Sequence, residues 1–272
     1  NIIFIGLVGV FLLNVDYILV GRYLGTVALG VYTLSFRMPE ILIQQFSWRL
    51  SRVVFPVYVK LREDQGVLKD AFLKTMKYTS AFVIPLGLGL AVVAEPLVLV
   101  FFSNKWVEAI PVVRAISIFA MMSAIPYTAG DILKAQGKLK VLNYLVIFRT
   151  LLVVTVLWWV TVRFAQIVAV GWAHAVIASV TSLVYLLVFC SINRIQILDV
   201  LKGLMPIFAS GILMSVGVFV VLQLLADMPS LVQLLVGVVL GVGAYVGMLF
   251  VFERELLFDA RRILLASLSK GQ

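Results

Sequence analysis

The chain has 272 residues, 63% of them hydrophobic and only 13% charged, with a mean hydropathy of +1.13. An ordinary soluble domain carries about 25% charged residues, so this balance excludes one and leaves a chain that puts most of its surface into lipid. One cysteine (Cys190) and one histidine (His174) exclude an intrachain disulfide, a multi-thiolate or multi-imidazole metal site, and a histidine-based catalytic triad.

A helix needs about 20 apolar residues to cross a hydrocarbon core of about 30 Å. Eight segments qualify, over residues 2–21, 28–56, 76–94, 108–133, 140–162, 166–190, 204–225 and 231–252, which predicts an all-α, polytopic transmembrane bundle. The first begins at Asn1 without a charged leader or cleavage site, so the chain reads as part of a longer protein. The second is too long for the bilayer alone and is expected to protrude through Pro56 to Arg62 as an amphipathic extension, with a turn at Glu63-Asp64-Gln65-Gly66. Pro39, Pro85, Pro111 and Pro126 fall in or near spans two to four and are expected to kink them. After span three, Glu95 to Phe102 reads as a short outer helix or interfacial hairpin, with Trp106 at headgroup level. Span eight carries Gly237-x3-Gly241 and Gly243-x3-Gly247, a spacing that permits close helix packing inside the bundle. The tail from Glu253 to Gln272 alternates leucine and isoleucine with charge and reads as an amphipathic helix on the inner surface.

The basic residues set the orientation. Sixteen lysines and arginines lie after spans two, four, six and eight, whereas the alternate loops hold only Arg22, Lys105 and Arg163. By the positive-inside rule both ends of the chain are expected in the cytoplasm. The net charge of +9 is therefore a topological signal, and no nucleic-acid partner is expected.

Charges within the spans are the candidate functional groups, because ionisable side chains at membrane depth face a bundle interior or a water-filled path. Arg37 lies about 14 Å below the outer end of span two and Arg149 at similar depth in span five, at a rise of about 1.5 Å per residue. Arg114 is shallower, Asp16 lies about 9 Å down span one, and Glu40 is one turn deeper than Arg37. Arginine binds phosphate in a bidentate fork, so Arg37, Arg149 and, more weakly, Arg114 are candidates for a cationic cavity that takes a phosphate-bearing amphiphile. The competing reading is self-neutralisation, of Arg37 by Glu40 and of Asp16 by Arg22 or Asn14. Asp16, with Asn14 and Glu40, is the candidate site for a coupling ion, either Na⁺ or a proton. His174, with no acid on its own span, reads as a hydrogen-bonded packing residue.

The segment from Asn14 to Gly25, followed by Leu29-Gly30-Val31-Tyr32, resembles the N-x-D-x-x-x-(I/V)-G-R-x-L-G…L-G-x-Y signature of bacterial polysaccharide exporters. These are the Wzx-type lipopolysaccharide and capsule flippases of the multidrug/oligosaccharidyl-lipid/polysaccharide superfamily. Arg52-Val53-Val54-Phe55-Pro56 and Phe101-Phe102-Ser103-Asn104-Lys105-Trp106 resemble two further stretches of that family, with Ser103 and Asn104 departing from its usual glycine. The resemblance covers residues 1 to about 140. It implies two facing six-helix lobes, with residues 1–190 as the second lobe, 191–252 as two additional helices and 253–272 as a cytoplasmic tail; the first lobe is the missing partner. It also implies a polyprenyl-pyrophosphate-linked oligosaccharide as substrate, the bacterial inner membrane as location, no cofactor, and coupling to an H⁺ or Na⁺ gradient. A drug antiporter of the same superfamily is the nearest alternative, although cationic drugs favour acids over this excess of arginine. A membrane enzyme is a more distant one, since no catalytic constellation is present and the outer loops are short. A structural scaffold would not need buried charge. No enzyme activity is expected.

Overall fold

The structure, a computed structural model, describes residues 14–254 and is helical throughout that range, with no strand among the described residues. In chain order the helices are α1 (Val15–Pro39), α2 (Gln45–Leu61), α3 (Gln65–Val92), α4 (Ala94–Phe102), α5 (Ala109–Ala124), α6 (Tyr127–Ala135), α7 (Leu139–Phe164), α8 (Ile167–Ile192), α9 (Ile197–Leu224) and α10 (Ser230–Phe252). Seven stretches are long and apolar enough to cross a membrane, the first being Val15–Leu61. That stretch contains the described end of predicted span one and all of span two. The beginning of span one, residues 2–13, and the amphipathic tail beyond Arg254 lie outside the described residues.

α1 is a helical hairpin. Its one non-helical residue, Gly25, has φ 89° and ψ 175°. In a straight helix Asp16 and Tyr32 would stand about 24 Å apart, yet the Tyr32 hydroxyl is 2.8 Å from the Asp16 carboxylate. The chain therefore reverses at Gly25, in a backbone region essentially reserved for glycine. Spans one and two meet through this single residue, where the sequence predicts a short outer loop.

Proline acts differently at each site. Pro39 has no N–H to donate, and the helix widens after it into a π-helical turn over Glu40–Gln44 before continuing as α2. Pro126 divides predicted span four into α5 and α6. Pro85 sits inside a continuous α3, and Pro111 lies in the first turn of α5, where the missing donor costs little. The Glu63–Gly66 turn forms as expected: the Asp64 carboxylate caps α3 by accepting from the Gly66 and Val67 amides, each at 3.0 Å.

The expected short outer helix is α4, followed by a 3₁₀ turn at Asn104–Trp106. Between them Ser103 adopts φ 71° and ψ 171°, a conformation whose usual occupant is glycine. Ser103→Gly should therefore raise thermal stability by about 1 kcal/mol, measured as a shift in the unfolding midpoint in detergent; no shift would mean the turn is unstrained.

Two apolar clusters organise the bundle. The smaller joins α1, α5, α7 and α8 through Val20, Tyr32, Phe36, Ile116, Leu157 and Val170. The larger runs from α2 and α3 through α5 and α6 to α9 and α10, so the last two helices share a core with the rest. A Cβ on Gly211 of α9 would come 2.8 Å from Ile84, and Gly237 and Gly241 of α10 face Val218 of α9. Gly243 and Gly247 meet nothing within 4 Å, so only the first of the two small-residue pairs packs inside the described bundle. Tyr245 donates to the Ala81 carbonyl at 2.9 Å, and ion pairs Lys69–Asp199 (2.7 Å) and Lys77–Glu253 (2.6 Å) tie α9 and α10 to one end of α3.

Candidate functional site

The hairpin at Gly25 brings Asp16 against Tyr32, and α8 closes over both. The Tyr32 hydroxyl donates to Asp16 Oδ2 at 2.8 Å and lies 2.8 Å from His174 Nε2, which is itself 3.6 Å from the same carboxylate oxygen. All three side chains are buried, Tyr32 completely. Tyr17, Phe36 and Phe119 wall the group, with ring centroids 5.2–6.0 Å from one another or from His174 and Tyr32 along most of the contacts. The arrangement is a carboxylate, a phenol and an imidazole in contact with one another inside an aromatic cage. In such surroundings each polar group needs its partner.

This alters two sequence-based expectations. Asp16 forms no ion pair with Arg22 within 4 Å, and span two and span six each bring it a side-chain neighbour. His174 is hydrogen-bonded, as expected, but to a neighbour that carries an acid from another helix. Glu40 begins the π-helical turn, close enough to Tyr17 for its charge to be felt there, as is that of Asp16. Asn14 stands at the N-terminal edge of α1, exposed, with its carbonyl accepting from the Ile18 amide at 3.1 Å.

A second constellation lies between α6, α7 and α8. A pocket of about 220 Å³ is lined by Arg149 and Lys134, with the hydroxyls of Tyr127 and Tyr185 and the hydroxyl of Ser123. The Pro126 break creates it by redirecting the chain into the short α6. Gly130 then lets Tyr185 approach, since a Cβ there would come 2.8 Å from the tyrosine oxygen. Among the described residues Arg149 has no acid within 4 Å. Arg149 on α7 and His174 on α8 stand on helices that pack against each other. Lys134 is 3.3 Å from Asp131, a carboxylate only 2% exposed.

The three arginines are not brought together. Arg37 forms no ion pair with Glu40 within 4 Å and lines a separate, open groove with Thr26, Leu29, Thr33 and Phe102. Arg114 pairs with Glu95 at 3.4 Å, so its charge is matched at the start of α4. Sequence reading missed Tyr32, Lys134 and Asp131 as site residues. Asp131 and Lys134 were visible as an i, i+3 pair at the end of predicted span four. Tyr32 stood only as part of the Leu29–Tyr32 stretch of the exporter signature, because the reversal at Gly25 is what gives it its neighbours.

Comparison with known proteins agrees with the exporter resemblance. Residues 1–111 match the polysaccharide biosynthesis protein family. The teichuronic acid biosynthesis protein TuaB of Bacillus subtilis is 28% identical over 63% of this chain and 35% of its own length. The succinoglycan biosynthesis transport protein ExoT of Rhizobium meliloti is 26% identical over 91% of this chain and 50% of its own. Among solved structures, the lipid II flippase MurJ in an inward closed conformation superposes with a TM-score of 0.71 at 18% identity, covering 91% of this chain and 51% of MurJ. The fold is thus that of about half of MurJ. The chain spans half or less of the length of these relatives.

Proposed function

We infer that this chain is the C-terminal half of a flippase that carries a polyprenyl-pyrophosphate-linked oligosaccharide across the bacterial inner membrane, for assembly of an exported or surface polysaccharide. Residues 1–190 would form its second six-helix lobe, 191–252 two additional helices and 253–272 a tail on the cytoplasmic surface. The observation that carries this reading is the pocket holding Arg149 and Lys134. Charge at membrane depth costs about 2.5–3.5 kcal/mol on insertion scales, and a guanidinium left without a carboxylate there is best understood as waiting for an anion. Phosphate suits it, because the planar fork matches two phosphate oxygens at once. The asymmetry of basic residues supports placing both ends of the chain in the cytoplasm.

The Asp16–Tyr32–His174 group supplies a site for the coupling ion. It can hold or release a proton, and Arg149 stands on the helix packed against that of His174, where an anion in the pocket would be felt. Substrate binding and ion binding would then favour each other, as linkage requires. No step needs a nucleophile or a cofactor, and the chain acts as a transporter, not an enzyme.

The test is complementation. The full-length protein, expressed in a strain lacking its own polysaccharide exporter, should restore surface polysaccharide for at least one of several glycan pathways. Failure with every pathway at normal membrane levels, together with a gain in drug resistance, would turn the reading toward an antiporter.

A further inference from the structure

Lys134 faces two ways. Its ammonium is 3.3 Å from Asp131 Oδ1, yet the same side chain is half-exposed and lines the pocket with Arg149. Asp131 is 2% exposed, and its second oxygen, Oδ2, has no hydrogen-bond partner among the described residues. Beside it the hydroxyls of Tyr58 and Thr128 are also buried, and neither bonds to Oδ2. A buried carboxylate normally collects several donors. Here, among the described residues, a single, rather long ion pair to a half-exposed lysine is the only one. The other charged or titratable groups around it are Arg149 across the pocket, Tyr58 from α2, Tyr127 on its own helix and Tyr185 from α8.

We propose that Lys134 is shared between Asp131 and a phosphate or pyrophosphate ester in the Arg149 pocket, so that Asp131 acts as a built-in competitor that sets how tightly the pocket holds its ligand. This rests on the phosphate reading of that pocket. An empty pocket leaves Lys134 on the carboxylate, where two adjacent cations do not simply repel each other. An arriving phosphate draws the ammonium away from Asp131, and the cost of uncovering that carboxylate is subtracted from the binding energy. A carrier gains from such a deduction, because a ligand must bind well enough to enter and weakly enough to leave.

The experiment is a double-mutant cycle on the purified full-length protein in lipid nanodiscs. Binding of inorganic pyrophosphate and of farnesyl pyrophosphate is measured by calorimetry at one pH. Lys134→Gln should weaken binding about tenfold. Asp131→Asn should tighten it roughly three- to tenfold, and should do so far less once Lys134 is already glutamine. Asp131→Ser gives the same reading if the amide disturbs packing, with folding checked by thermal unfolding. Weaker binding in Asp131→Asn would overturn the proposal, since Asp131 would then merely position Lys134. So would an equal gain in both backgrounds, which would mark a diffuse charge effect. If neither probe binds the wild type, or Arg149→Gln binds both as well as wild type does, the phosphate reading itself fails and the proposal with it. Tighter binding of farnesyl pyrophosphate than of pyrophosphate identifies a lipid-borne ligand, whereas the reverse order identifies a free anion; either, with the cycle above, upholds the sharing of Lys134.

Discussion

Arg149→Ala should reduce export of surface polysaccharide by roughly ten- to hundredfold at matched membrane levels, while leaving the protein as stable as wild type or more so. The two halves of this expectation have one cause. Arg149 lies about 15 Å along α7 from the Leu139 end, and among the described residues it has no carboxylate within 4 Å. The fold therefore bears the cost of a charge at membrane depth without an internal ion pair to offset it. Alanine removes that cost, so thermal unfolding in detergent should not shift downward. What alanine loses is the fork. Hydrogen bonds to a charged ligand contribute about 1.5–3 kcal/mol, which is the range of rate or affinity given above. Arg149→Lys should recover only part of the activity, because an ammonium cannot make the bidentate contact. A lower unfolding midpoint with export intact would make Arg149 a structural residue and remove the central support for the phosphate pocket.

Asp16 and Tyr32 should separate in the opposite sense. Asp16→Asn keeps an acceptor oxygen for the Tyr32 hydroxyl, so its stability should fall by less than about 1 kcal/mol, yet it removes the negative charge from the cage. Export is expected to drop at least about tenfold, if a coupling ion needs that charge. Tyr32→Phe does the reverse. It leaves Asp16 and His174 buried without the hydroxyl that bridges them at 2.8 Å on either side, and should cost about 1–3 kcal/mol of stability. The carboxylate remains, so export per folded molecule should fall less than in Asp16→Asn. The measurement is surface polysaccharide normalised to folded protein, alongside the unfolding midpoint. Normal export by Asp16→Asn would remove Asp16 from the coupling role.

Several site residues were legible because of where they stood along an apolar helix. Arg149 and Asp16 are ionisable groups in hydrocarbon-length segments, and the cost of such placement is enough to single them out. The same argument also selects side chains that the fold does not place with Arg149. Arg114 obeys it equally, but Glu95 lies 19 positions away along the chain and was not on its helix; the turn through Ser103 and the 3₁₀ segment brings the two together at 3.4 Å. Arg37 obeys it too, yet Pro39 and the π-helical turn follow it, and it shares no pocket with Arg149. Proline positions were visible, but whether a proline breaks a helix depends on what satisfies the carbonyl it frees. Pro85 and Pro126 look alike in the sequence and behave oppositely in the fold.

The amino-acid sequence by itself determined the solvent, the helical class and the approximate spans, because the hydrophobic effect and backbone hydrogen bonding in lipid act on each segment separately. It likewise carried the basic asymmetry on which the proposed orientation rests. Only the tertiary structure decided which polar groups meet. The reversal at Gly25 puts Tyr32 on Asp16, helix α8 brings His174 to both, and α6 places Lys134 between Asp131 and the pocket. Such pairings depend on hydrogen bonds of about 3 Å between residues as much as 142 positions apart in the chain, and no local pattern encodes a distance of that kind.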